Sequence, residues 1–327
     1  MATSTDAAAI LDRCRNTCVI GGGVIGASWA ALFLAHGLNV VVNDPQPGIE
    51  DSVKQALRRI GPTLRELGLP HEGLERNLRF EPDLERAVAG ADLVQENGPE
   101  STEWKQQLWA RIEQAVPKHA LLLSSSSART ATLQAQHMRD PGRLLVGHPF
   151  NPPHLIPLVE VVPGERTDPQ ATADAVAFYT ALGKVARVLH KEMRGFVANR
   201  LQGVIMREAC YLVKEGVVTI EELDDIVTSS IGLRWAVNGP FSSFYMGGGP
   251  TGFRGYFKQF GPGMKLSWAN PSPIEYSDEV AQLIIDQGDA AHRGTPLEQI
   301  ERRRDDTQIP LLRARGSLPP MAPEGGA

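Results

Sequence analysis

The sequence predicts an α/β protein: a doubly wound, mostly parallel sheet followed by an all-helical second half. Three observations predict it. Short apolar runs alternate with amphipathic segments through the first 190 or so residues, the signature of strands linked by crossover helices. A glycine-rich turn joins the first apolar run to the first helix. Beyond Lys191 the apolar residues recur only at helical spacing.

A chain of 327 residues suggests about two domains at ~150 residues each. The expected organisation is a flexible N-terminal arm over 1–16 and a nucleotide-binding domain over 17–193. A helical domain for substrate and dimer contacts follows over 194–300, then a flexible tail over 301–327. The net charge is -5 with no lysine- or arginine-rich block, which excludes nucleic acid and anionic membrane surfaces as partners. Cys14, Cys18 and Cys210 match no zinc or CxxC spacing, and three cysteines suit a reducing cytoplasm. Residues 18–35 carry no charge, but Gly21, Gly22, Gly23 and Gly26 within them have a better explanation than a membrane span.

Residues 17–44 read TCVIGGGVIGASWAALFLAHGLNVVVND. A strand enters the G-x-G-x-x-G frame at Gly21, Gly23 and Gly26. A helix with Trp29, Leu32 and Phe33 on its apolar positions follows, then a second strand over Asn39–Asn43, closed by Asp44. Gly21 permits the tight turn, Gly23 lets a pyrophosphate approach the backbone, and Gly26 lets helix and strand pack closely. Val24 and Ile25 open the helix, whose N-terminal N–H groups attract phosphate. Asp44 stands near the spacing of about 20 residues expected for the acid that binds the adenosine ribose. It would repel a 2′-phosphate, so the cofactor read here is NAD. Strand, glycines, helix, strand and acid in order indicate a Rossmann-type domain.

Residues 91–95, 120–124, 144–147, 159–162 and 185–189 are further buried strands, and 101–116 is an amphipathic helix. Ligands on such sheets sit beyond the carboxyl ends of strands, and polar residues cluster there: 96–100, 124–127 and 148–151. Residues 195–214 read as one long helix, and Thr219 to Glu222 as a capping box opening the next. Acids at 221–225 suit a solvated first turn; no metal is expected. The stretch 146–162, VGHPFNPPHLIPLVEVV, sets one carboxylate, Glu160, among valines and leucine. A buried carboxylate needs a partner, and His148 is the candidate.

VIGGGVIG, the serine run LSSSSA, HPFNP with a later LVEVV, and GFVANRL together resemble the L-3-hydroxyacyl-CoA dehydrogenase superfamily over about residues 17–270. The resemblance implies His148 as general base, Glu160 as the carboxylate that holds its imidazole, and Ser127 and Asn199 as contacts to the substrate hydroxyl. It also implies Glu100 and Lys105 on the nicotinamide-ribose side and Asn151 near the nicotinamide. Imidazole suits proton removal near neutral pH, and a carboxylate on its other nitrogen fixes the tautomer.

Three departures turn the reading from acyl-CoA to free acids. Residues 48–69 contain one lysine, Lys54, where acyl-CoA members are lysine-rich. Residues 232–241 read GLRWAVNGPF, in which Arg234 could clamp a carboxylate beside Trp235. HPFNPPHLIPLVE and EGVV resemble the same free-acid branch, that of the L-carnitine and L-gulonate dehydrogenases. Aromatic residues over 235–268 could favour a trimethylammonium group. Arg194 replaces the usual proline before Gly195-Phe196. The expected activity is NAD-dependent oxidation of a small free L-3-hydroxy acid by a cytoplasmic homodimer. The alternatives are an acyl-CoA substrate and a non-catalytic NAD-binding protein.

Overall fold

The computed structural model describes residues 4–269 and 271–316. They form two compact units, one of residues up to Asn199 together with those from Arg303 on, the other of Arg200–Arg302.

In the first unit the chain runs through α1 (Ser4–Arg13), β1 (Asn16–Ile20), α2 (Val24–Ala35), β2 (Asn39–Asn43), α3 (Ile49–Glu66), β3 (Leu78–Phe80), α4 (Leu84–Val88) and β4 (Leu93–Glu96). It continues through α5 (Thr102–Ala115), β5 (Leu121–Ser124), α6 (Ala131–Gln134), β6 (Leu144–Pro149), β7 (Leu158–Pro163), α7 (Pro169–Ala181) and β8 (Val185–Val188). The strands make one sheet in the order β3-β2-β1-β4-β5-β6-β7-β8. Every pairing is parallel except β6 with β7. Strands buried on both faces must be apolar throughout, and Leu121, Leu122 and Leu123 in β5 are all buried.

One face is packed by Trp29 and Phe33 of α2, Leu64 of α3, and Phe178 and Tyr179 of α7. The other carries Trp109 and Ile112 of α5 and Val88 of α4. The order reverses between β1 and β4, so the crevice at their carboxyl ends is the topological switch point. The glycine turn follows β1 there, and Asn97–Glu100 follow β4.

Two expectations are corrected. The arm over 1–16 contains α1, which packs on α7 by burying Ile10 and Cys14. Two inward apolar residues suffice to dock a short alanine-rich helix. The tail over 301–327 contains most of α13 (Leu297–Ala314). Its charged sequence conceals three buried residues at helical spacing, Asp305, Ile309 and Leu312, which return this segment to the first unit. Residues 317–327 of that tail lie outside the described residues. The compact first unit runs on to Asn199, because Glu160 holds the start of the next helix through the N–H groups of Val197 and Ala198.

The second unit holds most of α8 (Ala198–Lys214), then α9 (Ile220–Ser229), α10 (Ile231–Gly247), α11 (Phe253–Ala269) and α12 (Asp278–Ala291). Thr219 and Glu222 form the expected capping box of α9. α10 breaks at Gly239, whose φ of 64° is left-handed and precedes Pro240. The Phe253 ring packs against Phe241, Tyr245 and Phe257. Among the described residues no helix is long and apolar enough to cross a membrane.

Candidate active site

The glycine turn is built for a close approach. Gly21 has φ +83°, and a Cβ there would meet the Asn97 carbonyl at 2.9 Å. A Cβ on Gly26 would lie 1.8 Å from the Gly21 oxygen, whereas one on Gly23 would meet nothing within 4 Å. Gly26 is therefore demanded by packing and Gly23 by the space above it. Gly23 caps α2 with no side chain, and the first turn has no acid. Val24 is exposed and Ile25 half-buried beside it. Asp44, at the carboxyl end of β2, accepts from Gly22 N at 2.8 Å and from Gln46 N at 2.9 Å. Each carboxylate oxygen keeps a lone pair for a ribose hydroxyl. An open glycine cap under a helix N-terminus, beside a half-buried acid, fits a dinucleotide.

Across the sheet, His148 and Glu160 stand directly opposite each other in the antiparallel β6–β7 register, so both side chains lie on one face. His148 Nδ1 is 2.8 Å from Glu160 Oε2, and both residues are buried. The other oxygen, Oε1, accepts from the backbone N–H of Val197 and Ala198, each at 3.0 Å. Burial alone would raise the Glu160 carboxyl. The His148 hydrogen bond and the N–H groups of Ala198 and Val197 outweigh it and hold the carboxyl below its ordinary value. With Nδ1 engaged, Nε2 is the nitrogen left for chemistry.

Phe150 and Phe196 flank the imidazole at ring-centroid distances of 5.2 and 5.3 Å. Gly147, just before His148, leaves room for the Tyr179 hydroxyl, which a Cβ would meet at 2.0 Å. The aromatic flanks and the backbone donors were not anticipated. GFVANRL carries the signal in retrospect, since Gly195 (φ 76°) and Phe196 (φ 49°) make the turn that aims two N–H groups at Glu160.

The serine run ends beside Glu100. Ser126 Oγ donates to Glu100 Oε2 at 2.8 Å. Ser127 N and Oγ approach Oε1 at 2.6 and 3.1 Å. Glu100 is exposed and Ser127 half-buried. Lys105 is held in a buried ion pair. It is 1% exposed, and its ammonium donates to both oxygens of Glu96 at 2.7 and 2.8 Å. Ser124 Oγ donates to the same carboxylate at 2.7 Å. α5 turns this residue inward, and its ammonium pairs with the nearest buried carboxylate. Lys105 therefore joins α5 to β4, and Ser124 of β5 shares the same carboxylate.

Asn151 is exposed on the loop after β6, and Asn199 is half-buried in the first turn of α8. In the helical unit Arg234 is exposed and Trp235 half-buried on α10. Arg194 is exposed. Among the described residues no group of three or more His, Cys, Asp or Glu could hold a metal ion.

Residues 16–193 match the profile described as 3-hydroxyacyl-CoA dehydrogenase, NAD binding domain, and residues 195–272 match its C-terminal domain. The chain belongs to the 3-hydroxyacyl-CoA dehydrogenase family. It is an NAD-dependent oxidoreductase acting on a CH–OH group. Within the family it is 40% identical over 309 residues to an L-carnitine dehydrogenase of Streptomyces coelicolor, covering 94% of this chain and 97% of that one. An L-carnitine dehydrogenase of Pseudomonas aeruginosa is 40% identical over 92% of this chain and 94% of its own. Among solved structures, an NAD+-dependent 5-formyl-3-hydroxy-2-methylpyridine 4-carboxylic acid 5-dehydrogenase superposes with a TM-score of 0.78 at 30% identity. That match covers 93% of this chain and 99% of the other.

Proposed function

We propose that the chain oxidises the 3-hydroxyl of a small free L-3-hydroxy acid, with L-carnitine the first candidate. The observation that carries this reading is the 40% identity to L-carnitine dehydrogenase along 94% of the chain, joined to a His148–Glu160 pair at 2.8 Å. NAD+, held by the glycine turn and Asp44, would supply the hydride acceptor for the carbinol carbon. His148 takes the hydroxyl proton on Nε2, and Glu160 stabilises the imidazolium through Nδ1. Ser127 and Asn199 are the residues for the substrate hydroxyl; in the helical unit Arg234, beside Trp235, offers a guanidinium that suits a carboxylate. Gly21, Gly23, Val24, Ile25, Gly26 and Asp44 hold the dinucleotide, with Glu100, Lys105 and Asn151 toward its nicotinamide end.

The enzyme works as a homodimer in the cytoplasm on this reading. Exposed Leu201, Val204, Val237, Phe241 and Trp268 of the helical unit supply an apolar surface for a second copy. Three unpaired cysteines suit a reducing compartment.

The test is NADH production from NAD+ with L-carnitine, L-gulonate, 3-hydroxybutyrate and 3-hydroxybutyryl-CoA in parallel. The expected result is the highest kcat/KM with a free acid. A preference for the CoA thioester would overturn the substrate class. A 5-formylpyridine carboxylate belongs in the panel because of the structural neighbour at 30% identity.

A further inference from the structure

The antiparallel pairing that sets His148 opposite Glu160 is closed by the loop 150–157. Register in such a pair depends on how its connection is held, and a one-residue slip would send one of the two side chains to the other face. This loop reads FNPPHLIP and has three prolines without N–H groups. Two of its donors, Leu155 N and Ile156 N, converge on the single carbonyl of Pro152 at 3.0 and 2.9 Å. Its own backbone therefore leaves the carbonyls of Pro153 and Ile156 to be satisfied from elsewhere.

Both go to one side chain. Lys184, the residue before β8, is 7% exposed. Its Nζ donates to Pro153 O and, at 2.6 Å, to Ile156 O. Its ammonium also lies over the Trp29 ring of α2, with Nζ 5.9 Å from the centroid. The same helix holds the loop at a second point. Ser28 Oγ meets His154 Nδ1 at 2.8 Å and accepts from His154 N at 2.9 Å. We propose that Lys184 is a positioning residue for the acid–base pair, clamping the 150–157 loop so that His148 and Glu160 keep their register. The inference rests on His148 being the base.

The clamp is not a charge effect. Burial pushes the Lys184 amine down to about 7, yet a neutral amine still has two N–H groups for two carbonyls. An apolar side chain would avoid the desolvation of a buried amine but would leave both carbonyls without a donor. Lys184 touches the loop and not the glycine turn, so the two functions separate in an experiment.

The experiment compares wild type, Lys184→Met and Lys184→Gln by steady-state kinetics on the best acid of the panel and by fluorescence titration with NADH. Met matches the length without donors, and Gln keeps two N–H donors on a shorter stem. The expected result for Met is a kcat loss of about 10-fold or more, since small misplacements of reacting groups are that costly, with the Kd for NADH within about two-fold. Gln should recover part of kcat. A Met variant with kcat within about two-fold of wild type, or one whose NADH affinity falls in proportion to kcat, would overturn the proposal. If Met yields no folded protein, Gln decides. A kcat loss of about three-fold or more at unchanged NADH affinity supports the clamp, and a smaller loss overturns it. A wild type inactive on the whole panel would overturn the functional reading, and this inference with it.

Discussion

Glu160 is the residue on which most of the site's geometry converges. One oxygen faces the imidazole and the other takes two backbone N–H groups from the start of α8. Glu160→Gln keeps the shape but loses the charge that stabilises an imidazolium. It should lower kcat by roughly 10²–10⁴-fold, as for the acid of a hydrolase triad, while NADH binding is retained. Steady-state kinetics with an NADH titration checks this; an unchanged kcat would remove Glu160 from the chemistry. His148 and Glu160 were legible in the sequence because a lone carboxylate among valines demands a partner. Val197 and Ala198 were not, because backbone N–H groups have no residue identity. The Lys105–Glu96 pair was hidden for a related reason: motif position does not show which way a helical side chain faces.

At the scale of elements, two connections are unusual and testable. The Lys105–Glu96 pair joins α5 to β4 with both side chains buried. Lys105→Met would strand the Glu96 charge and should cost about 3–5 kcal/mol of stability, read as a lower urea midpoint. A loss of NADH affinity with unchanged stability would instead assign Lys105 to the cofactor. α13 docks through Ile309 and Leu312 on Leu67 and Leu155. Asp305 accepts there from Thr63 Oγ1 at 2.7 Å. Ile309→Ala should cost about 2–5 kcal/mol in the same assay, whereas a free tail would lose nothing. This helix was hidden because its inward residues are interrupted by charges and Asp305 itself is polar. Most strands and α2, α5 and α8 were legible from periodicity. The short edge strand β3 and the helix α3 were not singled out.

For the whole molecule, the doubly wound sheet and the helical second half follow from alternation and from the change of period after Lys191. The antiparallel β6–β7 pair, on which the site depends, does not, since apolar runs carry no direction. Stability should also fall in mild acid. Burial pushes His154 down to about 4 from an ordinary 6.5. The folded value lies below the unfolded one, so the unfolded chain takes up the proton first. This contribution is complete above pH 6.5 and is lost as pH falls toward 4. The loss should be on the order of 3 kcal/mol and should shrink in His154→Gln, measured by urea unfolding across that range. Identical pH profiles for the two proteins would contradict it.

A carboxylate-held imidazole at the end of β6 should remove the substrate proton beside a dinucleotide site. The most direct measurement is kcat for His148→Gln together with its Kd for NADH. The expected result is a turnover loss of about 10²–10⁴-fold with NADH binding intact. Turnover near the wild-type rate would contradict it.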